Sequence, residues 1–238
     1  MHELVGVLAA AANPDDSRTL ARYFRTGPGQ YGEGDRFLGI KLSRVRALTR
    51  PYAREVFRAE SWLPLLRSPI HEHRLACLVV MAERASRGDP DERELLYTVY
   101  LANTRYVNNW DLVDVSCAAV VGRWLLDRDR SPLDVLALSP LVWDRRIAMV
   151  STHAFLRAGE SADTYRLAGV LLADRHDLVH KATGWMLREA GVRVSADELR
   201  AFLDRHAAVM PRTMLRYAIE RFPVPERQHY LGLARGLR

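Results

Sequence analysis

The chain has 238 residues, 48% of them apolar, with 35 Lys and Arg against 29 Asp and Glu for a net charge of +6. That is enough apolar material for a continuous core, and no uninterrupted apolar run is long enough to span a bilayer. The positive balance favours a polyanionic partner, nucleic acid before membrane, over acidic or membrane-inserted classes.

The first apolar stretch, Leu4 to Ala12, follows Met1-His2-Glu3, which supplies no basic leader, so it reads as a first helix rather than a signal peptide. Asp16-Ser17 is expected to open the next helix. The stretch from Thr26 to Ser43 resists a helix: it holds Gly27, Pro28, Gly29, Gly32, Gly34 and Gly39, and it reads as a long ordered loop or a lid. Tyr31, Phe37, Leu38 and Ile40 suggest that it packs, and no Gly-Lys-Ser/Thr follows to make it a phosphate loop. Beyond it, apolar residues recur at three and four positions, as in Leu75, Leu78, Val79 and Ala82, or Ile147, Val150, Ala154 and Phe155. Asn108-Asn109 precedes a helical pattern, and Ser195 three residues before Glu198 fits a capping box. Alternating strand patterns are scarce, so the fold class is all-α. Cys77 and Cys117 sit in apolar helical patterns, far from each other and from any His at ligand spacing; buried small hydrophobes in a reducing, cytoplasmic compartment are expected, with no disulfide and no metal.

A weak repeat runs through the helical part. His73-Arg74-Leu75-Ala76, Arg145-Arg146-Ile147-Ala148, His180-Lys181-Ala182 and Pro211-Arg212-Thr213-Met214 each open an apolar helix with a basic residue. With Asp111, the aligned positions are 74, 111, 146, 181 and 212, a spacing near that of a two-helix α-solenoid unit. A helix pair of this kind leaves an apolar face that only the next pair can cover. The expectation is one α-solenoid domain over residues 1–238 with a concave face, its first-turn cations following a phosphate backbone. Arg74 and Arg212 fit either that role or an inter-repeat salt bridge.

The densest polar and aromatic cluster is Tyr106-Val107-Asn108-Asn109-Trp110-Asp111-Leu112-Val113-Asp114. Trp110 and Asp114 are four apart and share a helical face. Asp111 reads as a first-turn acid matched to the helix dipole. Asp114, one turn in and beside a Trp, is the candidate catalytic carboxylate, with a salt-bridged surface carboxylate as the alternative. Trp143 reads as core. Trp185 follows Gly184 inside a helix, where glycine costs stability, so close packing or ligand approach is inferred there. His71 and His73 are two apart and share no face, and Asp174, His176 and His180 suit a helix terminus better than a metal.

At these residues the sequence resembles the AlkD family of DNA alkylation repair glycosylases. The resemblance is carried by Tyr23 to Asp35, by Phe37-Leu38-Gly39-Ile40, by Trp110-Asp111-Leu112-Val113-Asp114, by Arg145-Arg146-Ile147-Ala148 and by Gly184 to Glu189. It implies HEAT-like repeats around a DNA cleft. It also implies roles: Asp114 as the catalytic carboxylate, Trp110 and Trp185 as the pair contacting the lesion's sugar-phosphate backbone, and Arg146 near the phosphates. Further DNA contacts are expected from Arg74, Arg145, Lys181, Arg188, Arg212 and Tyr31. Asn109 stands where some members carry a second Trp.

The implied activity is hydrolysis of the N-glycosidic bond of cationic N3- or N7-alkylpurines in double-stranded DNA, without base flipping and without a cofactor, by a monomer acting in base excision repair. Such a base is already an activated leaving group and needs no general acid, so one ionised carboxylate suffices to stabilise the developing sugar cation. A non-catalytic damage binder and a HEAT-type protein scaffold are the alternatives. The choice between small methyl and bulky lesions is left open.

Overall fold

In the computed structural model, which describes residues 3–233, the regular elements are helices; an isolated parallel bridge joins Arg36 to Ile70. The all-α helical repeat expectation holds. No described helix is long and apolar enough to cross a membrane. The chain groups into two compact units, residues 1–124 and residues 125–238, where the sequence led to one domain.

The first unit contains α1 (Glu3–Ala10), α2 (Pro14–Tyr23), α3 (Leu42–Thr49), α4 (Ala59–Leu66), α5 (His71–Arg87), α6 (Pro90–Leu101) and α7 (Trp110–Cys117). Its centre is α5, against which α3, α4, α6 and α7 pack. Leu75, Ala76, Cys77, Leu78, Val80 and Met81 are consecutive or nearly so and all are buried, so α5 is covered on every side rather than along one stripe. It stops at Gly88, and Asp89 caps α6 by accepting the Glu92 N–H at 2.8 Å. The cap of α2 differs from the expectation. Asn13, not Asp16 or Ser17, accepts the N–H groups of Asp15 and Asp16, and Pro14 takes the first helical position, where a missing N–H costs nothing. Beyond Cys117, α7 runs on as a π-helical turn over Ala118–Gly122, which also packs on α5.

The second unit contains α8 (Pro132–Ala137), α9 (Val142–Ser151), α10 (His153–Arg157), α11 (Ala162–Val170), α12 (Asp177–Arg193), α13 (Ala196–His206), α14 (Arg212–Ala218) and α15 (Val224–Leu233). Here α12 is central, lying between α9 and α14. The run from Ile147 to Phe155 is two helices, with Thr152 at the break donating its hydroxyl to the Met149 carbonyl at 2.7 Å. Ser195 caps α13 through the Glu198 N–H at 3.2 Å, but the Glu198 carboxylate turns to the Ser161 hydroxyl instead of closing the box. The five aligned repeat positions all fall in the first two turns of α5, α7, α9, α12 and α14.

Candidate functional site

Trp110 opens α7, and Asn109 is its cap, fully buried, with its side-chain carbonyl accepting the Trp110 N–H at 2.9 Å. Asp114 lies one turn further along the same face and is half-buried. The end of α2 holds the indole. Phe24 stacks on Trp110 with centroids 5.1 Å apart, and Tyr23 meets it edge-on at 5.9 Å. Phe24 also stacks on Phe37 at 5.2 Å, and Phe37 on the His71 ring at 4.5 Å. Residues 26–43 form a loop tied down by hydrogen bonds.

Its order comes from α5. The Glu72 carboxylate, 1% exposed, accepts the backbone N–H groups of Leu38, Gly39 and Ile40 at 2.8 to 3.0 Å. Arg36 exchanges backbone hydrogen bonds with Pro69 and His71. Ser17 donates its hydroxyl to the Phe37 carbonyl at 2.7 Å. Gly32 is required at its place, because a Cβ there would sit 2.4 Å from the Phe24 carbonyl oxygen and 3.4 Å from the Asn109 amide.

Beneath Trp110 lies a charged cluster that sequence reading missed. His71 places Nδ1 3.0 Å from Asp35 and Nε2 2.8 Å from Asp111; its side chain is 2% exposed. Arg74 donates to the other Asp35 oxygen at 2.6 Å and to the Ser68 carbonyl at 2.7 Å. Burial by itself would lower the His71 pKa, and Arg74 works in the same direction. The bonds to Asp111 and Asp35 outweigh both and push it up to about 9. Burial likewise opposes ionisation of Asp35, but the His71 bond and the Arg74 charge hold its carboxyl below the usual range. The signal available in the sequence was the pair His71-Glu72 opening a helix, with no indication of partners 36 and 40 residues away.

The proposed DNA contacts fare unequally. Arg74 is a correction: it is 3% exposed and committed to Asp35 and Ser68, so the salt-bridge alternative is the one realised. Arg145 is largely engaged with Asp174 at 2.6 Å and with the carbonyls of Ser139 and Pro140. Lys181 pairs with Asp177 at 2.8 Å on an exposed turn, and Arg188 lies between Glu189 and Glu220. Arg212 is exposed and donates to the Leu231 carbonyl at 2.8 Å. Tyr31 is half-buried, with its hydroxyl 3.5 Å from the Tyr23 carbonyl. Arg146 is buried and donates to the Leu178 carbonyl at 2.5 Å, tying α9 to the start of α12. Trp185 is half-buried against the His153 ring at 6.1 Å. Trp143 is core, and both cysteines are buried thiols. His176 caps α12 by accepting the Leu178 N–H, and His180 bonds the Asp174 carbonyl, so both serve the helix terminus as expected. Among the described residues no cluster of His, Cys, Asp and Glu is arranged to hold a metal.

A family model described as DNA alkylation repair enzyme matches residues 5–222. The structure is similar to that of an Enterococcus faecalis protein described as a predicted DNA alkylation repair enzyme. The TM-score is 0.68 at 14% identity, covering 90% of this chain and 97% of that one. At that identity the likeness shows the fold. No curated protein sequence matches the chain.

Proposed function

Because the chain belongs to the family of DNA alkylation repair enzymes, for which DNA is the implied partner, we propose that it is a glycosylase releasing cationic N3- and N7-alkylpurines from double-stranded DNA. The observation that carries this is the pairing on α7 of a half-buried carboxylate, Asp114, with an indole, Trp110, that is held from behind by Phe24.

The chemistry needs little more. An alkylated purine leaves as a neutral base, so its departure requires no proton donor; the barrier lies in the positive charge that builds on the deoxyribose. An ionised Asp114 stabilises that charge and orients the attacking water. The π-face of Trp110 favours the same cation. Trp185 contacts the lesion's backbone, while Arg146, buried and bonded to the Leu178 carbonyl, is withdrawn from the phosphate contacts as Arg74 is. Contact with the sugar and backbone alone lets the base stay in the stack, unlike enzymes that extrude it. Arg212, Lys181, Arg188, Arg145 and Tyr31 remain the DNA contacts of this proposal, and the protein works as a monomer without a cofactor. The selectivity follows from the mechanism: uracil and other neutral bases, lacking a built-in leaving-group charge, are poor substrates.

The test is single-turnover release of 7-methylguanine and 3-methyladenine from alkylated duplex by the wild type and by Asp114→Asn. The expected result is release by the wild type and a loss of at least 100-fold in the variant, with duplex affinity retained. Unchanged release by the variant would remove the carboxylate mechanism. Lesions bound but never cleaved by the wild type would favour a damage-binding role.

A further inference from the structure

The hydrogen bonds of the cluster under α7 are all met when both carboxylates are ionised and the His71 ring is charged. Both ring nitrogens of His71 face carboxylate oxygens, at 3.0 Å from Asp35 and 2.8 Å from Asp111. An ionised carboxylate only accepts, so both nitrogens must donate and the ring must be an imidazolium. The charges then balance: His71 and Arg74 against Asp35 and Asp111. Asn108 adds its amide to Asp35 at 3.3 Å, while Glu72, the remaining charge on this turn of α5, is turned to the N–H groups of Leu38 to Ile40. Phe24 and Phe37 pack on the ring, and Phe24 is the same side chain on which Trp110 stacks.

We propose that His71 is a positioning residue for Trp110 and Asp114, its doubly bonded ring locking the first turn of α7 onto the glycine-rich segment. Asp111, which His71 grips, is the neighbour of Trp110 and lies one turn before Asp114. The lever is therefore short. Loss of the ring's second proton leaves the enclosed Asp35 and the partly exposed Asp111 facing one remaining cation, and the least costly relief is for Asp111 to withdraw toward solvent, carrying the start of α7 with it. A displacement of about 1 Å at a reacting carboxylate is enough to cost on the order of 100-fold in rate. The rate consequence rests on the glycosylase reading; the coupling between His71 and Trp110 does not.

Two measurements separate them. In the full-length wild type, imidazole ¹⁵N NMR and ¹⁹F NMR of fluorotryptophan, with Trp110 assigned through Trp110→Phe, are followed from pH 6 to 10. His71 is expected to carry protons on both nitrogens through pH 8 and to titrate near 9, and the Trp110 resonance is expected to move with the same midpoint. Wild-type single-turnover excision is expected to decline as pH rises through about 9; in His71→Gln it is expected to fall 10- to 100-fold, with affinity for undamaged duplex within about 2-fold, and to lose that alkaline decline. Should His71→Gln fail to fold, Asp35→Asn serves as the second variant, and the wild-type titration decides the matter without either. A His71 that titrates near its ordinary value, a Trp110 resonance that ignores its titration, or full excision by folded His71→Gln would each overturn the proposal. A wild type that releases no base at any pH overturns the glycosylase reading and leaves the NMR result to decide the coupling.

Discussion

The Trp110 indole lies on the Phe24 ring with centroids 5.1 Å apart and planes at 26°. The residue at the end of α2 thus sets the attitude of the side chain that opens α7, across 86 residues of sequence. Phe24 is 7% exposed and simultaneously touches Phe37 and His71, so the stack is continuous from the charged cluster to the indole.

Replacing Phe24 with Leu separates packing from orientation. Leu keeps most of the buried volume, so the stability loss should stay below about 2 kcal/mol, against about 3–5 kcal/mol for Phe24→Ala. Excision by Phe24→Leu should nevertheless drop at least 10-fold, because a Leu side chain gives the indole no flat surface. Thermal unfolding and single-turnover rates on the same samples check this, and a Phe24→Leu variant with wild-type rates would show that the stack does not set the indole.

Gly184→Ala should destabilise the protein despite placing a better helix former in α12. A Cβ there would lie 2.4 Å from the Met214 carbonyl oxygen and 2.6 Å from Tyr217 Cβ, so α14 must move away. Alanine's helix preference is worth about 1 kcal/mol, whereas overpacking of this kind costs about 1–3 kcal/mol. The net loss should show in urea denaturation as a lower midpoint at unchanged slope. The finding also settles which reason holds glycine beside Trp185: helix packing.

Arg74 and Arg212 should part company when each is replaced by Ala. Arg74→Ala leaves Asp35 buried with one cation fewer and should cost about 3–5 kcal/mol of stability. Arg212→Ala should leave stability nearly unchanged and lower the salt dependence of duplex binding by about one counterion. Fluorescence anisotropy against salt, read together with unfolding curves, tests both; an unaltered salt slope in Arg212→Ala would take that residue out of the DNA contacts.

Stability should peak near pH 6.5. His71 has a folded pKa raised to about 9, so its contribution is whole below its unfolded value near 6.5 and is lost as pH rises through 9. That loss is about 3 kcal/mol in order of magnitude. His73, His153, His176 and His206 shift the opposite way, lowered chiefly by burial, so the unfolded chain outcompetes them for protons in acid and stability falls below pH 6.5. In His71→Gln the alkaline slope should shrink to the part set by the buried Cys77 thiol, whose pKa burial raises, while the acid slope stays. Denaturation midpoints from pH 5 to 10 provide the check.

The sequence by itself determined what depends on neighbours three and four residues away. Helical periodicity gave the all-α class, Asn109 announced the start of α7, and the spacing of Trp110 and Asp114 put an indole and a carboxylate on one face before any packing was known. Tertiary structure alone decided what depends on partners dozens of residues off. Arg74 and Arg212 occupy equivalent places in the repeat, yet one is sealed against Asp35 and the other is exposed, because burial depends on what covers a helix and not on its own pattern. His71 shares no helical face with His73, and nothing local marks it as special. Its charge is fixed by Asp35 and Asp111, which reach its two nitrogens only once the glycine-rich segment and α7 have both packed onto α5.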